Sequence, residues 1–238
     1  LREPGLEDVV AVPGGCVTLA RSRPDPTRAR TGPGPARRVD RKGAAHLLLD
    51  RATAIGWDPQ AREILVAGGR KVLGVGPAGE VRRSLPVDVN ATAVARVGDH
   101  LVVGYRDGNL ELLPRSAGAS RPGVEFERVP ASPVLRLVAG PGGTVAVGWA
   151  SGLVALHSLD TGHRLDHVRI HGPVVHLVQH GPRLLAASAL GDHTALDLGL
   201  FFRPYCELMR EVWRRSPVIW EGGLPRLQPP SAGHRCWR

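Results

Sequence analysis

The chain has 238 residues, is 42% hydrophobic but only 4% aromatic, and carries a net charge of +9 with a pI near 10.8. That length suits one domain, and so few aromatic residues leave Val, Leu, Ile and Ala to fill its core. No apolar run approaches the roughly 18 residues of a spanning helix, and no signal-peptide pattern opens the chain, so a membrane is not an expected partner. The positive charge is almost all arginine, with lysine only at Lys42 and Lys71. Together with abundant Ala, Gly and Pro, this reads as the coding bias of a GC-rich genome. A nucleic-acid surface needs basic residues gathered on one face, which this pattern does not supply.

From Val9 to Leu198 the chain restates one pattern: an apolar run, a turn, a second apolar run, a small-residue turn and a third run. The first copy is degenerate, with Val9 to Val12 and Cys16 to Leu19 as its two opening strands. An Arg- and Pro-rich stretch, 21–42, then interrupts it, too polar to offset its chain entropy and expected as a loop insertion. Residues Ala44 to Asp50 form the outer part of the same repeat. Four clearer copies open at residues 54, 93, 134 and 174, steps of 39, 41 and 40. Within them Ile64 to Gly69, Leu101 to Gly104, Val145 to Gly148 and Leu184 to Ala187 are the middle runs. Turns at Asp107-Gly108 and Ser151-Gly152 suit the positive φ of tight hairpins. A second insertion, Arg115 to Gly123, precedes a further expected strand, Val124 to Val129. A period near 40 with several short strands per unit means radial repetition of β-sheets.

After Leu198 the character changes. Residues Pro204 to Arg215 predict a helix, with Pro204 in its first turn and Arg214 and Arg215 at its negative end. Tyr205, Leu208, Met209 and Val212 form its apolar face. Phe201, Phe202, Trp213 and Trp220, with Tyr205, gather five of the chain's ten aromatic residues into about 20 residues around the helix. Phe201, Phe202, Tyr205, Trp213 and Trp220 are therefore the candidate partner-binding residues, docking on the last repeat or on another chain. The tail, 222–238, is Pro-rich and expected to be disordered from Leu224 onward.

The segments Leu101 to Leu113, LVVGYRDGNLELL, and Leu156 to Asp166, LHSLDTGHRLD, resemble the middle and the outgoing turn of a WD40-type β-propeller blade. The family's Trp-Asp pair is replaced by Leu112-Leu113 and Leu156-His157, and its Gly-His pair is absent. Quinoprotein-type propellers have an Asp-x-Thr-Gly style of turn, which Asp160-Thr161-Gly162 resembles without the intervening residue. The resemblance implies an all-β fold of about five four-stranded blades over 1–198, closed alone or forming part of a larger ring, with the helical segment at 199–221.

Chemistry is sparse. Seven histidines lie between His157 and His193, and His163, His167 and His171 share strand parity, but no carboxylate-anchored ligand set accompanies them. Solvated outer-strand positions are expected. No nucleophile elbow, Walker loop or dinucleotide glycine pattern occurs, and no cofactor or metal is expected. The three cysteines are odd in number and widely spaced, which supports neither a zinc site nor a disulfide and points to the cytoplasm. Cys206 is expected to be a small packing residue. Arg96, Arg136 and His176 fall at corresponding or adjacent places in successive opening strands, so they are the candidate channel-lining residues. The resulting expectation is a non-catalytic protein-interaction scaffold or regulatory propeller. The alternative is an enzyme or ligand sensor using the central channel. A first residue of Leu rather than Met suggests a portion of a longer chain, with an effector domain or a separate chain as partner.

Overall fold

Short apolar runs carrying β-branched Val and bounded by Gly and Asp turns favour strands, and each repeat folds into its own antiparallel sheet. The computed structural model describes residues 6–20, 33–87, 91–114, 123–129, 131–227 and 233–237, with backbone alone at 6, 7, 219 and 220. The first blade contains β1 (Leu6–Val12), β2 (Gly15–Ala20), β3 (Gly34–Asp40) and β4 (Ala45–Ala52). The second contains β5 (Ala54–Asp58), β6 (Glu63–Gly68), β7 (Lys71–Val75) and β8 (Val81–Pro86). The third has β9 (Ala91–Val97), β10 (His100–Tyr105) and β11 (Leu110–Pro114). The fourth has β12 (Val134–Ala139), β13 (Thr144–Trp149), β14 (Leu153–Ser158) and β15 (Arg164–Arg169), and the fifth has β16 (Val174–His180), β17 (Arg183–Ser188) and β18 (His193–Asp197). Strands run in sequence order across every sheet, the topology of propeller blades. Blade openings fall where the repeat places them.

Three differences from the sequence expectation have physical causes. The first blade is not interrupted through residue 42, because Gly34–Asp40 is β3 and pairs with both β2 and β4. Gly34 to Val39 brings Ala36 and Val39 into register with Leu19 and Cys16, which outweighs the local Pro and Arg content. The rest of the expected insertion, 21–32, lies outside the described residues. Second, among the described residues three sheets have four strands, and the third and fifth blades have three. Third, residues 123–129 enter no sheet. They lie instead along the fourth blade's outgoing turn, where Glu127 N–H donates to Gly162 O at 3.2 Å. Phe126 fills the core between the third and fourth blades.

The seams between sheets form the core. Val17, Leu19 and Ala36 of the first blade meet Ile55, Ile64 and Val66 of the second. Leu65 and Ala67 meet Val94, Leu101 and Val103, and Val102 and Leu112 meet Val145, Val147 and Trp149. One steric contact recurs. A Cβ on Gly104 would stand 2.4 Å from Val134, and one on Gly148 would stand 2.5 Å from Val174. Each middle-strand glycine thus seats the first valine of the following blade. Trp149 also reaches back across a seam, its Nε1 donating to Gly108 O at 3.4 Å.

Burial separates inner from terminal blades. Strands β6 and β13 are buried at every position, so neighbours cover both faces of their sheets. Strand β17 instead alternates: Leu184, Ala186 and Ser188 are buried while Arg183 and Leu185 face out. Strand β2 alternates likewise about buried Val17 and Leu19.

Residues Asp197–Arg238 form a second compact unit. After a 3-10 turn, Gly199–Phe202, comes α1 (Tyr205–Arg215), capped by Pro204 and followed by a hairpin of β19 (Val218–Glu221) and β20 (Leu224–Leu227). The hairpin replaces disorder at the start of the tail, because Gly222 and Gly223 supply the positive φ its turn needs. The cysteine expectation is also corrected. Cys206 is joined to Cys236 across a separation of 30 residues, leaving Cys16 as the free thiol among the described residues. The pairing depends on the tail folding back onto α1, where Arg210 Nε donates to Cys236 O at 2.9 Å. With a disulfide present, cysteine usage no longer argues for a reducing compartment.

Replacing Gly104 or Gly148 by Val should cost about 1–3 kcal/mol each, because the opposing valine is stiff and cannot swing away. Chemical denaturation measures this. The Cys206→Ser variant should lose the roughly 3–4 kcal/mol that closing such a loop contributes, seen as faster proteolysis after Arg214 and Arg215.

Candidate functional site

Four opening strands, β1, β5, β9 and β12, surround a central cavity of about 410 Å³. Its wall is mostly aliphatic and backbone, with Asp8, Thr92, Arg96 and Arg136 as the polar side chains that reach it. The cavity therefore gathers two of the three residues expected to line the channel. His176 is not among them. It stands opposite Ala187 on the exposed face of the fifth blade.

Arg96 is buried and fully engaged. Its Nη1 meets Asp58 Oδ2 at 3.2 Å, its Nη2 meets Gln60 Oε1 at 2.8 Å and Asp99 Oδ1 at 3.2 Å, and its Nε donates to Gly98 O. Asp58 is the centre of this group, with no exposed surface at all. Its Oδ1 accepts the N–H groups of Gln60 and Ala61 and so caps the turn after β5. Its Oδ2 additionally accepts Arg83 at 3.0 Å, and Arg83 Nε pairs with Glu63 at 2.8 Å. Gly74 makes that reach possible, since a Cβ there would strike the Arg83 side chain at 2.6 Å. Burial by itself would raise the Asp58 pKa. The Ala61 N–H, Arg96 and Arg83 outweigh it and hold the carboxyl below its ordinary value. The cluster ties the second blade to the third.

Arg136 joins three blades. Its Nε donates to Val175 O at 2.7 Å, its Nη1 donates to Leu135 O at 2.8 Å, and the same Nη1 lies 3.7 Å from Asp8 Oδ2. The two channel arginines thus hold the blades together, and their positive charge meets carboxylates already in place. The arrangement can orient strands and line a polar-walled cavity.

His157 departs from the solvated reading of the histidines. It is fully buried in β14, with ring centroids 6.0 Å from Phe126 and 5.8 Å from Trp149. Its Nδ1 lies 3.2 Å from Gly162 O, so that nitrogen carries the proton and donates. Desolvation lowers its pKa below the usual 6.5, and the Gly162 bond and Glu127 only partly oppose this. Every residue from Leu153 to His157 is buried, so both faces of β14 are covered, and the exposed histidines around His157 hid this in the sequence. His163, His167 and His171 are exposed, and no metal-ligand cluster occurs among the described residues.

The aromatic candidates lie in the second unit. Phe202 and Tyr205 are about half exposed, at 51% and 48%, and Phe201 is half-buried. Trp213 packs edge-on against Trp237 at 6.4 Å, and Trp237 in turn against His234 at 5.2 Å. Arg235 lies over the Tyr205 ring at 4.2 Å. The tail residues Gly233 to Trp237, expected to be disordered, instead cover part of the helix's aromatic face. Trp220 lies in β19, and its side chain is outside the described positions.

No protein-family model matches the chain, and no curated protein does. Solved structures do. The WD40 β-propeller domain of Doa1 superposes with a TM-score of 0.58 at 13% identity, covering 82% of this chain and 65% of that one. The β-propeller domain of Cps50 (Swd1) from Myceliophteria thermophila gives 0.59 at 15%, covering 79% and 63%. BamB from Moraxella catarrhalis gives 0.56 at 17%, covering 82% and 61%. The fold is a WD40-type β-propeller, and the chain spans less than two thirds of each of these three propellers.

Asp58→Ala should destabilise the chain by about 3–5 kcal/mol, because it removes the buried carboxylate that Arg96 and Arg83 share across the seam. Equilibrium unfolding measures it. The His157 pKa is lower folded than unfolded, so its contribution is complete above about pH 6.5 and is lost as the pH falls toward the folded value. Melting curves should drop between pH 7.5 and pH 5, and the drop should be smaller in His157→Leu.

Proposed function

We propose that this chain is a non-catalytic protein-interaction module, a regulatory propeller segment working within a larger multidomain protein or complex. The observation that carries this reading is the uncovered face of the fifth blade, an apolar centre bordered by His176, His180 and Arg183. Val178 and Leu185 are direct cross-strand partners there, 55% and 44% exposed, and Ala187 and Ala195 extend the same side. A sheet face of this kind marks an interaction site in a folded protein. The channel supports the same reading, since Arg96 and Arg136 are bound up in ion pairs and backbone contacts. Similar propellers include one solved within a mitotic checkpoint complex, which fits an assembly role.

A second reading has one observation in its favour. The central cavity, at about 410 Å³, has the size of a small-ligand site, and Arg136 keeps partial exposure there. A ligand-sensing propeller would use that space.

The two are separated by copurification from the source cells. The interaction reading expects a stoichiometric protein partner that is lost in the Val178→Lys, Leu185→Lys double variant and kept in Arg136→Ala. Loss in Arg136→Ala alone would move the site to the channel, and substrate turnover by the purified chain would overturn the reading.

A further inference from the structure

A propeller closed on its own five blades would cover both faces of all five middle strands. Here β6 and β13 are covered on both faces, whereas β2 and β17 are covered on one. The open side of the first blade carries Val9 opposite Thr18, Ala11 opposite Cys16, and Leu47 opposite Arg37. Val9 and Leu47 are 50% and 58% exposed. The open side of the fifth blade carries Val178 opposite Leu185. The buried side of the first blade packs on the second, and the first valine of the fifth packs on Gly148 of the fourth. In a radial array two such outward faces look into one gap.

We infer that this gap is the seat of one to three further propeller blades, contributed by polypeptide outside residues 1–238. These blades would press face to face on β16 to β18 and on β1 to β4. The inference rests on the interaction reading and names the partner's form. Propellers close with about four to eight blades, so five blades accept roughly one to three more. A second copy of this chain would bring the total to about ten, outside that range. The apolar centre of each face, bordered by Arg37 on one and His176 and Arg183 on the other, suits a sheet packed at the usual spacing of about 10 Å. The solved propellers agree in proportion, since the chain covers 58% to 68% of the larger ones while most of its own length is matched.

Cysteine alkylation under native conditions tests the seat. Cys16 is the natural reporter on the first blade, and Leu185→Cys places a second thiol on the fifth. Two proteins are compared: the 238-residue chain, and the same chain extended by a duplicate of residues 54–133 placed ahead of residue 6 as a two-blade probe. Both thiols should react readily in the 238-residue chain, and the extension should slow both by about tenfold or more, since reaction then needs local opening. Adding Val178→Lys should restore reactivity in the extended chain while leaving the melting temperature of the shorter one unchanged.

Slow reaction in the monomeric 238-residue chain would mean that the ring closes alone or that residues 197–238 cover the face, and would overturn the inference. Protection that appears only with dimerisation in ultracentrifugation would assign the seat to a second copy and overturn it too. Unslowed reaction in an extended chain with a native melting transition would show that blades do not fit. Thiol protection reports the seat whatever copurification shows, so failure of the interaction reading is distinguishable from failure here.

Discussion

Sheet packed against sheet is the interaction on which this molecule depends. A middle strand such as Thr144–Trp149 has no solvent side, so its two faces must satisfy two different neighbours at once. That requirement explains the composition. Val, Ala and Leu fill both sides of a thin layer without polar atoms, and few aromatic rings fit between layers. It also explains why glycine occurs inside strands, where it would ordinarily weaken them. Gly104 and Gly148 leave the room into which Val134 and Val174 close.

Electrostatics serves the same end at the inner edge. Opening strands lie around a common axis, so polar groups there are shielded from bulk water yet close to one another. Asp58 holds Arg83 of its own blade and Arg96 of the next, while Arg136 touches the fifth blade through Val175 and the first through Asp8. Such groups look functional in a sequence because charge is rare in apolar strands. The geometry shows that their charge acts between blades.

How much was legible follows from the range of each interaction. Blade openings and hairpin turns are local, and residues such as Asp107, Gly108 and Gly152 announce them directly. Strand β3 was hidden because Arg37 and Arg38 reveal their strand pairing only when Thr18 and Val17 on one side and Leu47 and His46 on the other are in place beside them. The Cys206–Cys236 bond and the Trp213–Trp237 contact join segments whose intervening sequence gives no sign of return. His157 was obscured by its neighbours in composition, although the apolar run Leu153 to Leu156 that leads into it marked a strand covered on both faces. The two channel arginines were found by position, but their partners came from turns and from other blades.

The glycine contact at each seam has a consequence for curvature. The angle between successive blades depends on how closely a middle strand lets the next opening strand approach, and at two seams that distance is set by one hydrogen in place of a side chain. A larger residue there would act as a wedge, opening the angle and changing the number of blades needed to complete a circle. Side-chain volume at positions 104 and 148 is thus a dial for ring size, adjustable without touching any hydrogen bond within a sheet.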